Sequence, residues 1–215
     1  MTKKDYILGT IAGLLIGLLF LPVFKTTKSD FFDTYALVAV FFFLIATPVG
    51  LVIFKKLSEK ISVLWQVGKF GVIGVLNTLV DWGVLVILIL AFRKYFIIES
   101  SNSFIFGLTF YSLYKAISFI IANINSYYWN KYWTFSSGIL QKTKVEYLQF
   151  LAVSVVGFLL NVGIATYVFS FINPIGGLNT DQWGIIGAVV GSVAGLIWNF
   201  LGYKFVVFKQ ARLDF

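Results

Sequence analysis

The stretch FGVIGVLNTLVDWGVLVILILAF, residues 70–92, has one ionisable side chain, Asp81, at its centre. As a helix these 23 residues rise about 34 Å, enough to cross the ~30 Å hydrocarbon core of a bilayer. A charge in the middle of a membrane helix costs roughly 2.5–3.5 kcal/mol on insertion scales, so it persists with a partner or a polar cavity. The next apolar stretch, Phe104–Trp129, has Lys115 near its middle. Two opposite charges in neighbouring spans turn a lipid-embedded chain into a question about what passes through it.

Working outward, four further stretches of similar kind appear: Tyr6–Phe24, Phe31–Phe54, Phe150–Ile172 and Trp183–Gly202. Only 12% of residues are charged, against about 25% in soluble domains, and 59% are hydrophobic. These features predict an all-α membrane protein with six transmembrane helices. The first stretch follows Lys3 and Lys4 but is too long for a signal core, and no small-residue cleavage site follows it. It is read as a span.

With the N-terminus in the cytoplasm, the inner segments hold Lys3, Lys4, Lys55, Lys56, Lys60, Lys69, Lys131, Lys142, Lys144, Lys204, Lys209 and Arg212. The outer loops hold Lys25, Lys28, Arg93 and Lys94. This bias predicts a multi-pass protein of the cytoplasmic membrane with both termini inside. The net charge of +8 then reports topology and contact with anionic lipid headgroups. The lysines are scattered over short loops, which argues against nucleic acid. Cysteine and histidine are absent, removing thiolate nucleophiles, Cys/His metal sites and histidine bases. Neither a cofactor nor an enzymatic activity is expected.

A shift of eighty residues lays Phe70 on Phe150, Val75 on Val155, Leu79 on Leu159, Asp81 on Asn161 and Gly83 on Gly163. A shift of seventy-three lays Lys131 on Lys204, Tyr132 on Phe205 and Phe135 on Phe208. Residues 63–215 are therefore expected to form a four-helix bundle of two parallel helical-hairpin repeats. Residues 1–62 are expected to form a separate two-helix hairpin with a basic connector. Gly9, Gly13 and Gly17 recur every four residues on the first helix, and Gly187, Gly191 and Gly195 on the sixth. Such stripes let helices approach closely within one chain, or dock a partner, a second copy or a lipid chain.

Ser126-Tyr-Tyr-Trp-Asn-Lys-Tyr-Trp-Thr-Phe135 resembles the pattern N-F-x-x-N-R-x-W-T-F of GtrA-like membrane proteins. Asn199-Phe-Leu-Gly-Tyr-Lys-Phe-Val-Val-Phe208 is similar to its second-half counterpart, and Phe70-Gly-Val-Ile-Gly74 to its F-x-x-V-G opening. Lys131 and Lys204 stand where that family has arginine, keeping the charge but losing the bidentate fork. The resemblance implies flipping of polyprenyl-phosphate-linked sugars for surface polysaccharide or teichoic-acid glycosylation, beside a membrane glycosyltransferase that loads the lipid. A non-catalytic partner that positions such a transferase is the alternative.

Helical spacing groups Asn77 with Asp81, Lys115 with Ser118 and Asn125, and Ser154 with Asn161. Asn77, Asp81, Lys115, Ser118, Asn125, Asn161 and Asn199 could line a polar path for a sugar-phosphate headgroup. Asp81 and Lys115 could equally be an ion pair that sets helix register. Asn130, Lys131 and Lys204 at the cytoplasmic rim could bind the lipid phosphate. The same lysines, with Trp129, Trp133 and Tyr203, could instead be ordinary interfacial anchors.

Overall fold

The computed structural model describes residues 1–27, 29–136, 143–177 and 180–208. Lys28, Lys142, Lys209 and Arg212 of the charge bias lie outside the described residues. Six long helices follow one another: α1 (Lys3–Thr27), α2 (Ser29–Leu57), α3 (Val63–Phe96), α4 (Phe110–Trp129), α5 (Thr143–Phe171) and α6 (Thr180–Gly202). Most outrun their apolar stretches, because a helix keeps its backbone bonds where its side chains turn polar. Five are long and apolar enough to cross a membrane: α1, α2, α3, α5 and α6. With 20 residues α4 has the length, but Lys115 and its serines and asparagines lower its hydropathy. The chain is an all-α membrane protein.

The fourth apolar stretch is not helical from its start. Ser103–Ile105 (β1) pairs antiparallel with Leu108–Thr109 (β2) around the two-residue turn Phe106-Gly107. Those two residues have φ of 50° and 79°. Consecutive positive φ values suit a primed hairpin turn and exclude a right-handed helix. The helix therefore begins at Phe110, and Lys115 sits in its second turn rather than near the middle of a span.

Two compact units make up the chain, Met1–Ser136 and Ser137–Phe215. In the first, α1 runs along α2, both touch α3, and α3 pairs with α4. The core is made by Ala12 and Ile16 of α1, Leu51 of α2, Ile73, Leu76 and Leu79 of α3, and Trp133. The glycine stripe of α1 is occupied by α2. A Cβ on Gly13 would strike the Phe43 carbonyl and Thr47, and one on Gly17 would lie 2.8 Å from Val40 Cα. In the second unit α5 and α6 form a hairpin with the same device. Gly187 is buried. Gly191 abuts the backbone of Asn161 and Ala165, and Gly195 lies against the Gly157 carbonyl. At the loop end, the Trp183 indole donates to the Ile172 carbonyl at 2.8 Å, satisfying a group the end of α5 leaves free.

Both α4 and α6 end in a π-helical turn: π1 (Asn130–Thr134) and π2 (Tyr203–Val207). The Phe135 amide donates to the Asn130 carbonyl at 2.9 Å, and the Phe208 amide to the Tyr203 carbonyl at 2.7 Å. Those positions are related by the seventy-three-residue shift. Phe135 meets the Phe70 ring at 6.5 Å, and Phe208 meets the Phe150 ring at 5.9 Å. The repeat is thus built into the backbone, down to the widened last turn.

Candidate functional site

Asp81 and Lys115 are in contact. The Lys115 ammonium donates to Asp81 Oδ2, and the Ser118 hydroxyl donates to Asp81 Oδ1 at 2.6 Å. One carboxylate on α3 is therefore held by two groups of α4 placed three residues apart, the spacing that puts both on one helix face. The Asp81 side chain is 17% exposed and that of Lys115 is 41% exposed. The acid is engaged through both oxygens, whereas the ammonium, with three donors, still reaches the surface of its unit.

One turn before Asp81, the Asn77 Oδ1 is buried and accepts no hydrogen bond from the described residues. The Asn125 Nδ2 on α4 is buried and donates to none of them. A buried amide atom left without a partner costs free energy. Asn161 and Asn199 belong to the second unit. The Asn161 Nδ2 lies 3.5 Å from Ser192 Oγ, and the Asn199 amide lies over Gly157. The structure thus joins Asp81, Lys115 and Ser118 directly, and places Asn161 and Asn199 in the seam between α5 and α6.

At the signature turns, Lys131 and Asn130 lie within the protein. Lys131 is 3% exposed, and its ammonium donates to the Tyr127 hydroxyl at 3.1 Å. Asn130 is also buried, its Nδ2 donating to the Ser126 carbonyl and hydroxyl at 2.8 and 3.1 Å. Trp133 and Tyr203 are enclosed by protein. Trp133 is 1% exposed, and the Tyr203 hydroxyl shares a 2.6 Å hydrogen bond with Ser154 while its ring stacks on Phe150 at 4.1 Å. A π-turn rotates side chains off the helical repeat, and here it turns these rings inward. Trp129 packs edge-on against Trp133 at 5.6 Å.

Asp5 and Lys69 were not singled out by the sequence. The Trp133 indole donates to Asp5 Oδ1 at 3.1 Å, and the Lys69 ammonium donates to the Trp133 carbonyl at 2.8 Å. Lys69 also pairs with Asp5 at 3.7 Å and lies 4.8 Å from the Trp65 ring centre. The Thr2 amide and hydroxyl donate to Asp5 Oδ2, and Lys4 donates to the Tyr132 carbonyl at 3.1 Å. The last carbonyls of a helix have no internal partner, and cations are favoured there. Lys4 and Lys69 supply them, so the N-terminal segment clasps the W-T-F signature. The one sequence signal was the eighty-residue shift, which sets Lys69 against the neutral Gln149.

This chain is similar to the uncharacterized membrane protein YngA of Bacillus subtilis (strain 168), at 26% identity over 162 residues. That similarity covers 74% of this chain and 87% of the relative. No solved structure matches. The family model described as GtrA/DPMS, transmembrane domain, matches residues 69–208, from the clasping Lys69 to the phenylalanine that closes π2. The chain belongs to the GtrA/DPMS transmembrane-domain family.

Proposed function

We propose that this protein moves a polyprenyl-phosphate-linked sugar from the cytoplasmic to the outer leaflet of the cell membrane, for cell-surface polysaccharide or teichoic-acid glycosylation. The observation that carries the reading is the Asp81–Lys115–Ser118 cluster, a charged and hydroxylated contact between α3 and α4 in an otherwise strongly apolar chain. A sugar-phosphate headgroup entering hydrocarbon loses hydrogen bonds worth several kcal/mol each. Groups such as these replace them. Asp81 holds the ammonium in place when the path is empty, and Lys115, reaching the surface of its unit, meets the phosphate in transit. Asn77 and Asn125 offer an unused acceptor and donor for sugar hydroxyls.

In this reading the protein makes no covalent bond, both termini are cytoplasmic, and a membrane glycosyltransferase supplies the loaded lipid. Net movement follows the substrate gradient or a coupled ion. The glycine face that would have favoured partner docking is taken up by α2. The test is leaflet exchange of a labelled polyprenyl-phosphate sugar in vesicles reconstituted with the full chain. Wild-type protein speeds exchange, and Asp81→Asn and Lys115→Gln reduce it to the protein-free rate. Exchange undiminished in both variants, with each still folded, would refute the transport path.

A further inference from the structure

The repeat builds the same lysine cradle twice. The Lys131 ammonium lies 5.4 Å from the Tyr127 ring centre and 5.9 Å from that of Tyr132. The Lys204 ammonium lies 5.8 Å from the Phe200 ring centre and 5.4 Å from that of Phe205. Each lysine thus sits over the rings at positions i−4 and i+1 of a π-turn, and the shift of seventy-three relates all three residues of each set. Chance does not repeat such a geometry with its backbone hydrogen bond.

The two copies then diverge. In the first, the lysine is buried and a ring hydroxyl accepts a hydrogen bond from it. Lys4 and Lys69 hold the carbonyls of Tyr132 and Trp133 that flank it, and Asp5 holds the Trp133 indole. In the second, both rings are phenylalanines and offer no oxygen. Val206 stands where the first copy has Trp133, and it is exposed rather than clasped. Lys204 is half-buried, and its ammonium has no hydrogen bond or ion pair among the described residues. Aromatic faces stabilise a cation but accept none of its hydrogen bonds in the manner of an oxygen.

We infer that Lys204 in π2 is the seat for an anionic phosphate group, and that Lys131 is its structural counterpart, closed by the N-terminal clasp. This deepens the transport reading by assigning where the phosphate is held at the membrane surface. The free carbonyls at the end of α6 repel an anion, so the ammonium must carry the contact. The phosphate can be borne by a lipid or be free in solution, and both offer the same oxygens.

The experiment measures binding to the full chain in phosphatidylcholine nanodiscs by tryptophan fluorescence and by ligand-dependent thermal shift. The probes are farnesyl phosphate, farnesol and inorganic phosphate. Farnesyl phosphate binds the wild type and Lys204→Arg, and farnesol gives no phosphate-dependent shift. Lys204→Gln weakens binding by about tenfold or more, the loss of one charge-assisted hydrogen bond. Lys131→Gln lowers the melting temperature without ligand but keeps the phosphate-dependent shift. Inorganic phosphate that competes with farnesyl phosphate assigns the seat to free phosphate as well, and failure to compete assigns it to the lipid-borne group. Wild-type affinity in Lys204→Gln, or loss of binding in a folded Lys131→Gln, would overturn the proposal. A chain that binds through Lys204 yet speeds no leaflet exchange overturns the transport reading and leaves the seat standing.

Discussion

Single side chains decide how the W-T-F signature is held. Trp133 is fully enclosed, and its indole needs an acceptor that hydrocarbon does not offer. Asp5 supplies it, and Lys69 neutralises Asp5 while taking the Trp133 carbonyl. Breaking a buried pair from one side leaves the other charge uncompensated and is more damaging than removing a single neutral donor. Trp133→Phe removes the N–H that Asp5 accepts and leaves a small void where the second ring was, and is expected to lower stability by about 1–3 kcal/mol. Asp5→Asn removes the countercharge of the buried Lys69 and is expected to cost more, about 3–5 kcal/mol. Unfolding in detergent micelles with increasing SDS checks both. An Asp5→Asn chain as stable as the wild type would show that the clasp contributes nothing.

At the scale of elements, helix contacts are set by where a side chain is absent. The nearest atom to an added Cβ on Gly9 is the tip of Leu51, a flexible group that can swing away. On Gly17 the nearest atoms are the backbone of Val40, which can give way only if α1 and α2 part. Gly17→Ala is therefore expected to destabilise the hairpin by about 1–3 kcal/mol, and Gly9→Ala by less, the range of overpacking in a filled core. The same unfolding measurement ranks them, and equal effects would mean that the helices slide freely. The two π-turns are the other element-level device. One residue added to the last turn of α4 and of α6 changes which side chains face inward, and that turn buries Trp133 and Tyr203.

For the whole molecule, the charge bias predicts Glu59 inside and Ser101 outside. The chain has no cysteine, so single-cysteine variants report without background. Both residues are exposed in the structure. In intact cells a membrane-impermeant maleimide is expected to label Ser101→Cys and to label Glu59→Cys only after permeabilisation. The reverse pattern would invert the topology and move Lys131 and Lys204 away from the cytoplasmic surface.

Much of the architecture was legible because hydrocarbon imposes it. A chain this apolar has to satisfy its backbone within each segment, so long apolar runs can be read as helices from composition alone. The repeat was legible for a related reason: matched positions such as Phe70 and Phe150 do matched work against Phe135 and Phe208. The opposite charges of Asp81 and Lys115 announced a partnership, since neither can stand alone in lipid. The start of α4 was not legible, because a two-residue turn of Phe106 and Gly107 looks as apolar as the helix after it. Nor was the clasp, because Asp5 and Lys69 lie 64 residues apart and each reads by itself as an ordinary charge near a helix end. Sequence determined that this protein is helical, lies in a membrane and repeats itself, because those follow from local solvation and periodicity. Tertiary structure alone decided that Lys131 is buried while its matched lysine, Lys204, is half-buried among the described residues, because burial depends on what distant parts of the chain bring to the same place.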